Sequence, residues 1–332
     1  MYVKLRGHIE VIRKSDNKTV SFDAFNSVEV ELDIFKINQS CKIRIPLSAR
    51  LEYKEKQKGE SIQSATLFSR GDKITVWLGY DDDLQKEFEG FIYRLNYKTP
   101  LEIECEGYEY QLRSVCETKT WKSTNLKTVL QYLIADTDIV LSNLIPDINF
   151  TKYIIPANTT KLEQLQRLKE EYRLTVFFME NTLYAGLAYS VDRGTVKYKL
   201  GYNTITSDEL KYHNADDVSL KVNAVCIKPD NTKVKATVGD SEGSLRTLFF
   251  YNISSLDELK KVAMEELQKY KYSGYEGDIK TFIQPFACPG MKAQLTDPKY
   301  DERGGTYYIT KAVVKADRNG GRRNVSIAVK LL

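Results

Sequence analysis

Histidine is almost absent from this sequence, because the 332 residues contain only His8 and His213. This scarcity excludes most metal sites built from several histidines and nearly all histidine-based acid–base catalysis. Neither histidine has a plausible ligand partner nearby in the sequence, so both are interpreted as structural or surface residues. Long hydrophobic runs are missing as well. No stretch of about 18 apolar residues occurs, and the sequence therefore predicts no membrane span.

The cysteines show no pattern of disulfide or metal chemistry. Their number is odd, their spacing is wide, and no CxxC pair occurs. We interpret them as small buried hydrophobic residues of a protein that folds in a reducing cytoplasm. The N-terminal residues 1–16 alternate apolar and charged side chains without an apolar core or a cleavage site, so no signal peptide is expected. The cysteines are Cys41, Cys105, Cys116, Cys226 and Cys288.

The sequence also has no large excess of positive or negative charge. Lys and Arg number 49 against 45 Asp and Glu, a net charge of +4. Such a small excess does not predict a dedicated nucleic-acid binder, and the pair Arg322 and Arg323 is too small to form a basic patch. The length allows two or three domains. Tyrosine is the abundant residue, with 22 copies, which suits β-sheets and interfaces between proteins.

The first 110 residues are predicted to be β-rich. Residues 28–34 alternate apolar with acidic side chains, and residues 41–47 alternate apolar with basic ones. Strands of this kind bury one face and expose the other. Residues 73–80, 88–95 and 101–106 then predict three further strands in a meander.

The middle of the chain changes to helical spacing. Leu126, Val129, Leu130, Leu133 and Ile134 form one apolar stripe, which predicts a helix. A second helix is predicted after residues 160–163, a capping box with Thr as N-cap and Glu three residues later. Two short strands, 175–178 and 181–185, complete a small α+β unit.

The last third returns to strands. A second capping box at residues 255–258 predicts a helix through about Tyr270, and Asn319-Gly320-Gly321 predicts the hairpin between the last two strands. Residues 289–329 repeat the order of strands and turns of residues 71–106. This similarity at long spacing predicts two related β units.

Several candidate motifs are set aside. Residues 239–243 match the nucleophile string GxSxG, but no histidine follows them and a polar turn is the better interpretation. Residues 81–83 are three aspartates without calcium-loop spacing, which predicts a hairpin tip. Two carboxylate triplets could hold a glycosidase acid and base, although their strand spacing favours solvent-facing positions. They are Glu29, Glu31 and Asp33, and Glu102, Glu104 and Glu106.

Four groups of segments carry a resemblance to a known family. They are residues 71–72 with 88–92, 101–108 with Leu112, 155–160 with 165–172, and 289–290 with 307–313 and 320–321. Together they resemble the phage late control gene D family, the baseplate hub proteins of contractile tails. The hub portion of type VI secretion spike proteins belongs to the same structural group. Val314 and Lys315 stand where many members carry a histidine, so no function is placed there.

The resemblance implies an α+β, mainly β fold, with two β-barrel-like domains flanking a smaller helix-containing α+β domain. The expected division is 1–110, 111–200 and 201–332, with a helix at about 255–271 in the last part. The resemblance also implies a homotrimer whose six barrels form a pseudo-sixfold ring between tail tube and spike. We therefore expect a structural protein of a phage or injection-particle baseplate, assembled in the bacterial cytoplasm.

The expected partners are two further copies of the chain, a spike protein and tail tube proteins, without nucleic-acid binding as a primary role. No catalytic, cofactor-binding or metal-binding residue is predicted. Two alternatives stay open at this point. One is a carbohydrate-binding or cell-wall-degrading β-protein that uses strand carboxylates, and it requires an aromatic-lined cleft with one carboxyl of raised pKa. The other is a tube protein, although tube subunits need one barrel and this chain suggests two.

Overall fold

A computed structural model describes residues 3–51, 60–206, 209–228, 232–251 and 255–331. Strands dominate these residues, so the expected mainly β class is confirmed. In the described parts, four 3-10 helices cover Ser64–Thr66, Tyr108–Arg113, Ala215–Asp217 and Asp301–Arg303. None of the described helices is long and apolar enough to cross a membrane.

The first β unit is an antiparallel sheet in the order β3-β4-β9-β8-β7-β1-β2. Alternation along the strands fills its core, as in β3, where Val28 and Val30 are buried and the glutamates between and beyond them lie on the other face. The strands of this part are β1 (Leu5–Ile12), β2 (Thr19–Phe22), β3 (Ser27–Asp33), β4 (Ser40–Ile45), β5 (Ser48–Leu51), β6 (Glu60–Gln63), β7 (Lys73–Tyr80), β8 (Asp83–Asn96) and β9 (Leu101–Glu106).

The middle part packs two helices and short strands around its own core. The predicted apolar stripe of the first helix is buried, and the Thr160 hydroxyl and the Glu163 carboxylate form the predicted capping box of the second. Its elements are β10 (Lys119–Trp121), β11 (Thr124–Asn125), α1 (Leu126–Ile134), β12 (Val140–Leu141), β13 (Asn149–Phe150), β14 (Tyr153–Ile155), α2 (Lys161–Glu171), β15 (Thr175–Met179) and β16 (Thr182–Gly186).

The last part contains two structures rather than the single β unit expected from the sequence. Strands β17, β18 and β22 to β25 form the second β unit, whereas β19 to β21 form a separate sheet covered by α3, which we call the α3 layer. The elements are β17 (Thr195–Lys199), β18 (Leu210–His213), β19 (Leu220–Ile227), β20 (Lys233–Gly239), β21 (Ser244–Tyr251), α3 (Leu256–Tyr270), β22 (Gly274–Thr281), β23 (Lys292–Thr296), β24 (Gly305–Asp317) and β25 (Gly320–Leu331).

The two β units share one hydrogen-bonded sheet. Strand β24 pairs with β3 from Lys311 opposite Asp33 to Asp317 opposite Ser27. As a result, Val314 lies in the hydrophobic core of the first β unit. Within the described residues the strand order runs as an open path from β18 to β2. The two barrel-like domains, their boundaries and their origin by duplication therefore remain predictions, although both repeated segments form antiparallel meanders, β7-β8-β9 and β23-β24-β25.

Candidate functional site at the junction of the two β units

A bulge in β8 directs a glutamate toward the second β unit. Val76 of β7 lies opposite Phe88, but the next residue, Trp77, lies opposite Lys86, so Glu87 has no partner in the ladder. A bulge of this kind bends the strand and changes the direction of the extra side chain. The Glu87 side chain is 2% exposed, since it points into the space between the two β units.

Arg323 of β25 meets this glutamate inside the protein. Its guanidinium nitrogens lie 3.1 Å and 2.5 Å from the two carboxylate oxygens of Glu87, and the side chain is 1% exposed. The same guanidinium donates to the carbonyl oxygens of Ile283 at 3.0 Å and Ala287 at 2.7 Å. The bidentate contact between Arg323 and Glu87 joins residues that are 236 positions apart in the chain.

The Glu87–Arg323 pair stabilises the fold only when both of its charged side chains are present. Burial raises the pKa of Glu87, and the positive charge of Arg323 opposes that rise. A buried pair gains little over well-packed apolar side chains, but loss of one partner leaves an uncompensated charge and costs about 3–5 kcal/mol. The pair therefore fixes how the two β units face each other, and it offers no free acid or base.

A second group of charges connects the first β unit to the middle part. Glu89 accepts from the Tyr108 hydroxyl at 2.5 Å and lies 2.9 Å from the Lys73 amine and 3.0 Å from the Lys86 amine. Burial would raise the pKa of Glu89, but these hydrogen bonds outweigh it and lower the pKa to about 2. Lys86 also reaches Glu180 of the middle part at 2.7 Å.

These groups surround a small cavity of about 60 Å³ where all three parts of the protein meet. Its lining includes Glu87, Glu89, Phe178, Arg193 and Cys288. The volume is enough for a few water molecules and too small for a metabolite or a sugar. The junction is thus a fixed structural joint.

Five of the six carboxylates in the two triplets lie in ion pairs, and the sixth, Asp33, accepts the Phe35 N–H. Glu102 lies 2.8 Å from both Lys98 and Arg44, and these contacts lower its pKa to about 2. Its side chain is 3% exposed, which corrects the solvent-facing position expected from the sequence. On β3, Glu29 pairs with Lys315 at 2.8 Å and Glu31 with Lys311 at 2.9 Å. Opposite charges on neighbouring strands stabilise the register.

Glu109 is a buried carboxyl group whose surroundings raise its pKa. Its side chain is completely buried, and one oxygen accepts the backbone N–H groups of Gln39 at 2.8 Å and Gly107 at 2.9 Å. Burial and the neighbouring Glu106 raise its pKa to about 8, while the backbone donors oppose the rise. A Cβ atom at Gly107 would lie 2.6 Å from the Glu109 carboxylate, so a larger residue at this position would displace that carboxylate. A carboxyl enclosed in this way has no substrate access.

The other motifs occupy the positions that the sequence indicated. Residues 239–243 form a turn in which Asp240 accepts the Leu220 N–H, and Asp81 to Asp83 form a hairpin tip. All five cysteines are buried, and none of them forms a disulfide bond. Both histidines lie near carboxylates: His8 is 2.6 Å from Asp23 and 3.2 Å from Glu10, which raise its pKa, and His213 is 3.8 Å from Glu276. Across the described chain, no group of three or more His, Cys, Asp or Glu could hold a metal ion.

Several of the tyrosines lie inside the protein. Tyr184, Tyr198, Tyr307 and Tyr308 are among the largest fully buried side chains. Tyr189 packs edge-on against Tyr308 with ring centres 5.3 Å apart, where the middle part meets the second β unit. Tyrosine therefore stabilises joints within the chain.

Comparison with known proteins places this fold among phage tail proteins and a component of the type VI secretion system. The 43 kDa tail protein of prophage MuSo2 from Shewanella oneidensis shares 14% identity with a TM-score of 0.61, and 98% of each chain is covered. A tail protein from Neisseria meningitidis shares 14% identity with a TM-score of 0.59, over 97% of this chain and 96% of that one.

The third structure is the E. coli c3393 protein, a component of the type VI secretion system with structural similarity to bacteriophage T4 tail proteins gp27 and gp5. It shares 10% identity with a TM-score of 0.53, over 100% of this chain and 77% of that one. No protein-family model and no curated protein sequence matches the chain. The resemblance inferred from the sequence is thus confirmed at the level of the fold.

Proposed function

We propose that this protein is a structural subunit of a baseplate hub, in a contractile phage tail or a related injection machine. The supporting observation is the fold, which matches a prophage tail protein over nearly the full length of both chains. In this proposal, three copies form a pseudo-sixfold ring in which each copy contributes two barrel-like units. The ring joins the tail tube to the spike, in a particle that assembles in the bacterial cytoplasm.

The junction between the β units supports a mechanical role. A ring that transmits force between tube and spike needs subunits whose two halves do not move apart. The shared β3–β24 ladder and the buried Glu87–Arg323 pair provide such a connection. Five of the six strand carboxylates considered for a glycan hydrolase lie in ion pairs, so we infer a structural role without catalysis.

The test is the native mass of the purified protein, followed by co-purification with tube and spike proteins from the same gene cluster. We expect a species of three times the chain mass by sedimentation velocity, and a complex with both partners. A protein that stays monomeric at high concentration and binds neither partner would contradict the proposal. Hydrolysis of a cell-wall glycan that disappears in a Glu104→Gln variant would instead favour the carbohydrate-active alternative.

A further inference from the structure

His8 lies on the outer face of β1 between two carboxylates. Its Nδ1 atom is 2.6 Å from an oxygen of Asp23, and its Nε2 atom is 3.2 Å from an oxygen of Glu10. The side chain is 33% exposed, and its ring faces the uncharged ring of Trp77 on β7, with ring centres 5.5 Å apart. Both ring nitrogens therefore point at groups that, when ionised, can only accept hydrogen bonds.

This arrangement fits the doubly protonated form of the ring. A neutral imidazole carries one N–H and one lone pair, so it can donate to Asp23 or to Glu10 but not to both. An imidazolium donates through both nitrogens and places a positive charge between two negative ones. Loss of the ring proton weakens the contact with Asp23 in either tautomer. An Nδ1–H ring keeps the hydrogen bond without the positive charge, and an Nε2–H ring turns a lone pair toward the carboxylate.

Asp23 is the first residue of the segment 23–26, which links β2 to β3 and which we call the strap. Strands β2 and β3 stand at opposite ends of the strand order of the first β unit, so the strap crosses from one side of that unit to the other. Each end of the strap is attached by a hydrogen bond. Asp23 contacts His8 at the start, and the Asn26 N–H donates to the Arg44 carbonyl oxygen at 2.7 Å at the end.

The strap forms one wall of a groove of about 1370 Å³, and His8 lines the same groove. Within the strap, Asp23, Ala24 and Asn26 are exposed, whereas Phe25 packs against the core of the first β unit. The start of the strap is thus outside the core, and its contact with His8 sets where this wall of the groove lies.

The cations next to His8 have carboxylate partners of their own. Arg6, two residues earlier on β1, lies 3.1 Å from Asp82, and Lys86 of β8 lies 2.7 Å from Glu180. The two carboxylates beside the ring are therefore available to the imidazolium. Further titratable residues on the surrounding elements include Lys73 and Tyr80 of β7 and Lys4, Arg44, Asp81 and Lys98 of the groove lining.

We propose that His8 is a pH-sensitive latch, whose protonated form holds the strap against β1 and whose neutral form loosens this wall of the groove. The hydrogen bond with Asp23 raises the pKa of His8, burial opposes that rise, and the contact with Glu10 adds to it. The latch is therefore complete below the ordinary histidine pKa of about 6.5, and it opens as the pH rises through the higher pKa of the folded protein. Because Asp23 is 80% exposed, salt should weaken the latch.

The titration of His8 gives the first test. Selective 13C labelling of the histidine Cε1 positions yields two NMR resonances, because the chain has two histidines, and His8→Gln assigns them. We expect His8 to titrate above pH ~6.5, and Asp23→Asn and Glu10→Gln each to lower its midpoint. Asp16→Asn, which removes a carboxylate that contacts Arg13 in the turn of the same hairpin, is the matched control and should leave the midpoint unchanged. A wild-type midpoint at or below pH ~6.5, or an equal shift in the control, would overturn the latch.

Hydrogen exchange tests whether the strap responds. Peptides that cover residues 23–26 are followed by mass spectrometry at about pH 5.5 and about pH 8.5, with correction for the intrinsic exchange rate at each pH. We expect protection of the strap amides to fall by about two- to fivefold at the higher pH, the range for an exposed ion pair. In His8→Gln this pH dependence should disappear. Equal protection at both pH values in the wild type, or the same loss in His8→Gln, would show that His8 does not control the strap.

The outcomes separate the latch from the proposed function. The latch lies within a single chain, so both measurements can be made whether the protein is a monomer or a trimer. A monomeric protein that binds neither tube nor spike would contradict the hub and leave the latch in place. An unshifted His8 midpoint in a trimeric protein would overturn the latch and leave the hub in place.

Discussion

The surroundings of Glu87 and Glu109 show two ways of burying a carboxyl group. Glu87 faces Arg323, and the guanidinium supplies both charge and hydrogen bonds. Glu109 faces only backbone N–H groups, and its second oxygen has no hydrogen-bond partner among the described residues. The first arrangement connects two distant parts of the chain, whereas the second joins the start of β4 to the end of β9. The comparison indicates that the junction between the two β units depends on a charge pair. The contact between the start of β4 and the end of β9 depends instead on the proton that Glu109 binds.

Arg323→Met should produce the largest change, because it leaves the Glu87 carboxylate buried without its cation. We expect a loss of about 3–5 kcal/mol in the free energy of unfolding, measured by urea denaturation at pH 7. The double variant Glu87→Leu/Arg323→Met removes both charges and should recover most of that loss. A single variant within about 1 kcal/mol of wild type would show that the pair carries no structural role.

Glu109→Gln should change the pH dependence of stability. The pKa of Glu109 is about 8 in the folded protein and about 4.3 in an unfolded chain, so the folded state holds the proton more tightly. Its stabilising contribution is complete below pH 4.3 and falls by about 1.4 kcal/mol per pH unit until about pH 8. Relative to wild type, the glutamine variant should therefore gain roughly 2 kcal/mol between pH 6 and pH 8. Parallel stability curves for the two proteins would contradict this account.

Glu89→Gln should act in the opposite pH range. The pKa of Glu89 is about 2 in the folded protein, below its unfolded value, so its contribution is complete above about pH 4.3 and is lost toward pH 2. We expect the variant to be less stable by about 1–3 kcal/mol at pH 7 and the difference to vanish near pH 2. Glu242→Gln, in an exposed turn, is the control. An equal change in stability in this control would show that the effect does not come from Glu89.

Lys315→Met should have the smallest effect, although Lys315 also joins the two β units through Glu29. Both side chains of this pair are about half exposed, 60% and 47%, and exposed pairs contribute about 0–1 kcal/mol. Raising the salt concentration should reduce even that contribution. If Lys315→Met lowered the free energy of unfolding as much as Arg323→Met, the different exposure of the Glu29–Lys315 and Glu87–Arg323 pairs would not explain their contributions to stability.

Local structure was predictable where periodicity or a cap determined it. The apolar stripe of α1 and the Thr160 capping box predicted helices that the structure contains. One signal for the junction was present and was not used: Arg323 has the same strand parity as the buried residues Val325 and Ile327. That pattern would have placed its side chain inward.

The other half of the junction had no sequence signal. Glu87 is buried because β8 carries an extra residue, and bulges depend on pairing with a distant strand rather than on local composition. The separate α3 layer was also not predicted, since the alternation of β19 and β20 is the same whether they join the long sheet or form their own. Likewise, the composition could not distinguish tyrosines buried within the chain from tyrosines at an interface between chains.

The β3–β24 pairing has a consequence for how the protein is made. The N-terminal β unit obtains Val314 and Ala316 from the far end of the chain, so its core stays incomplete until the ribosome has translated those residues. Until then, β3 exposes the edge that β24 will cover. Contacts between residues so distant in sequence slow folding. A nascent chain that stops short of residue 317 therefore leaves an open strand edge, which is a site for aggregation.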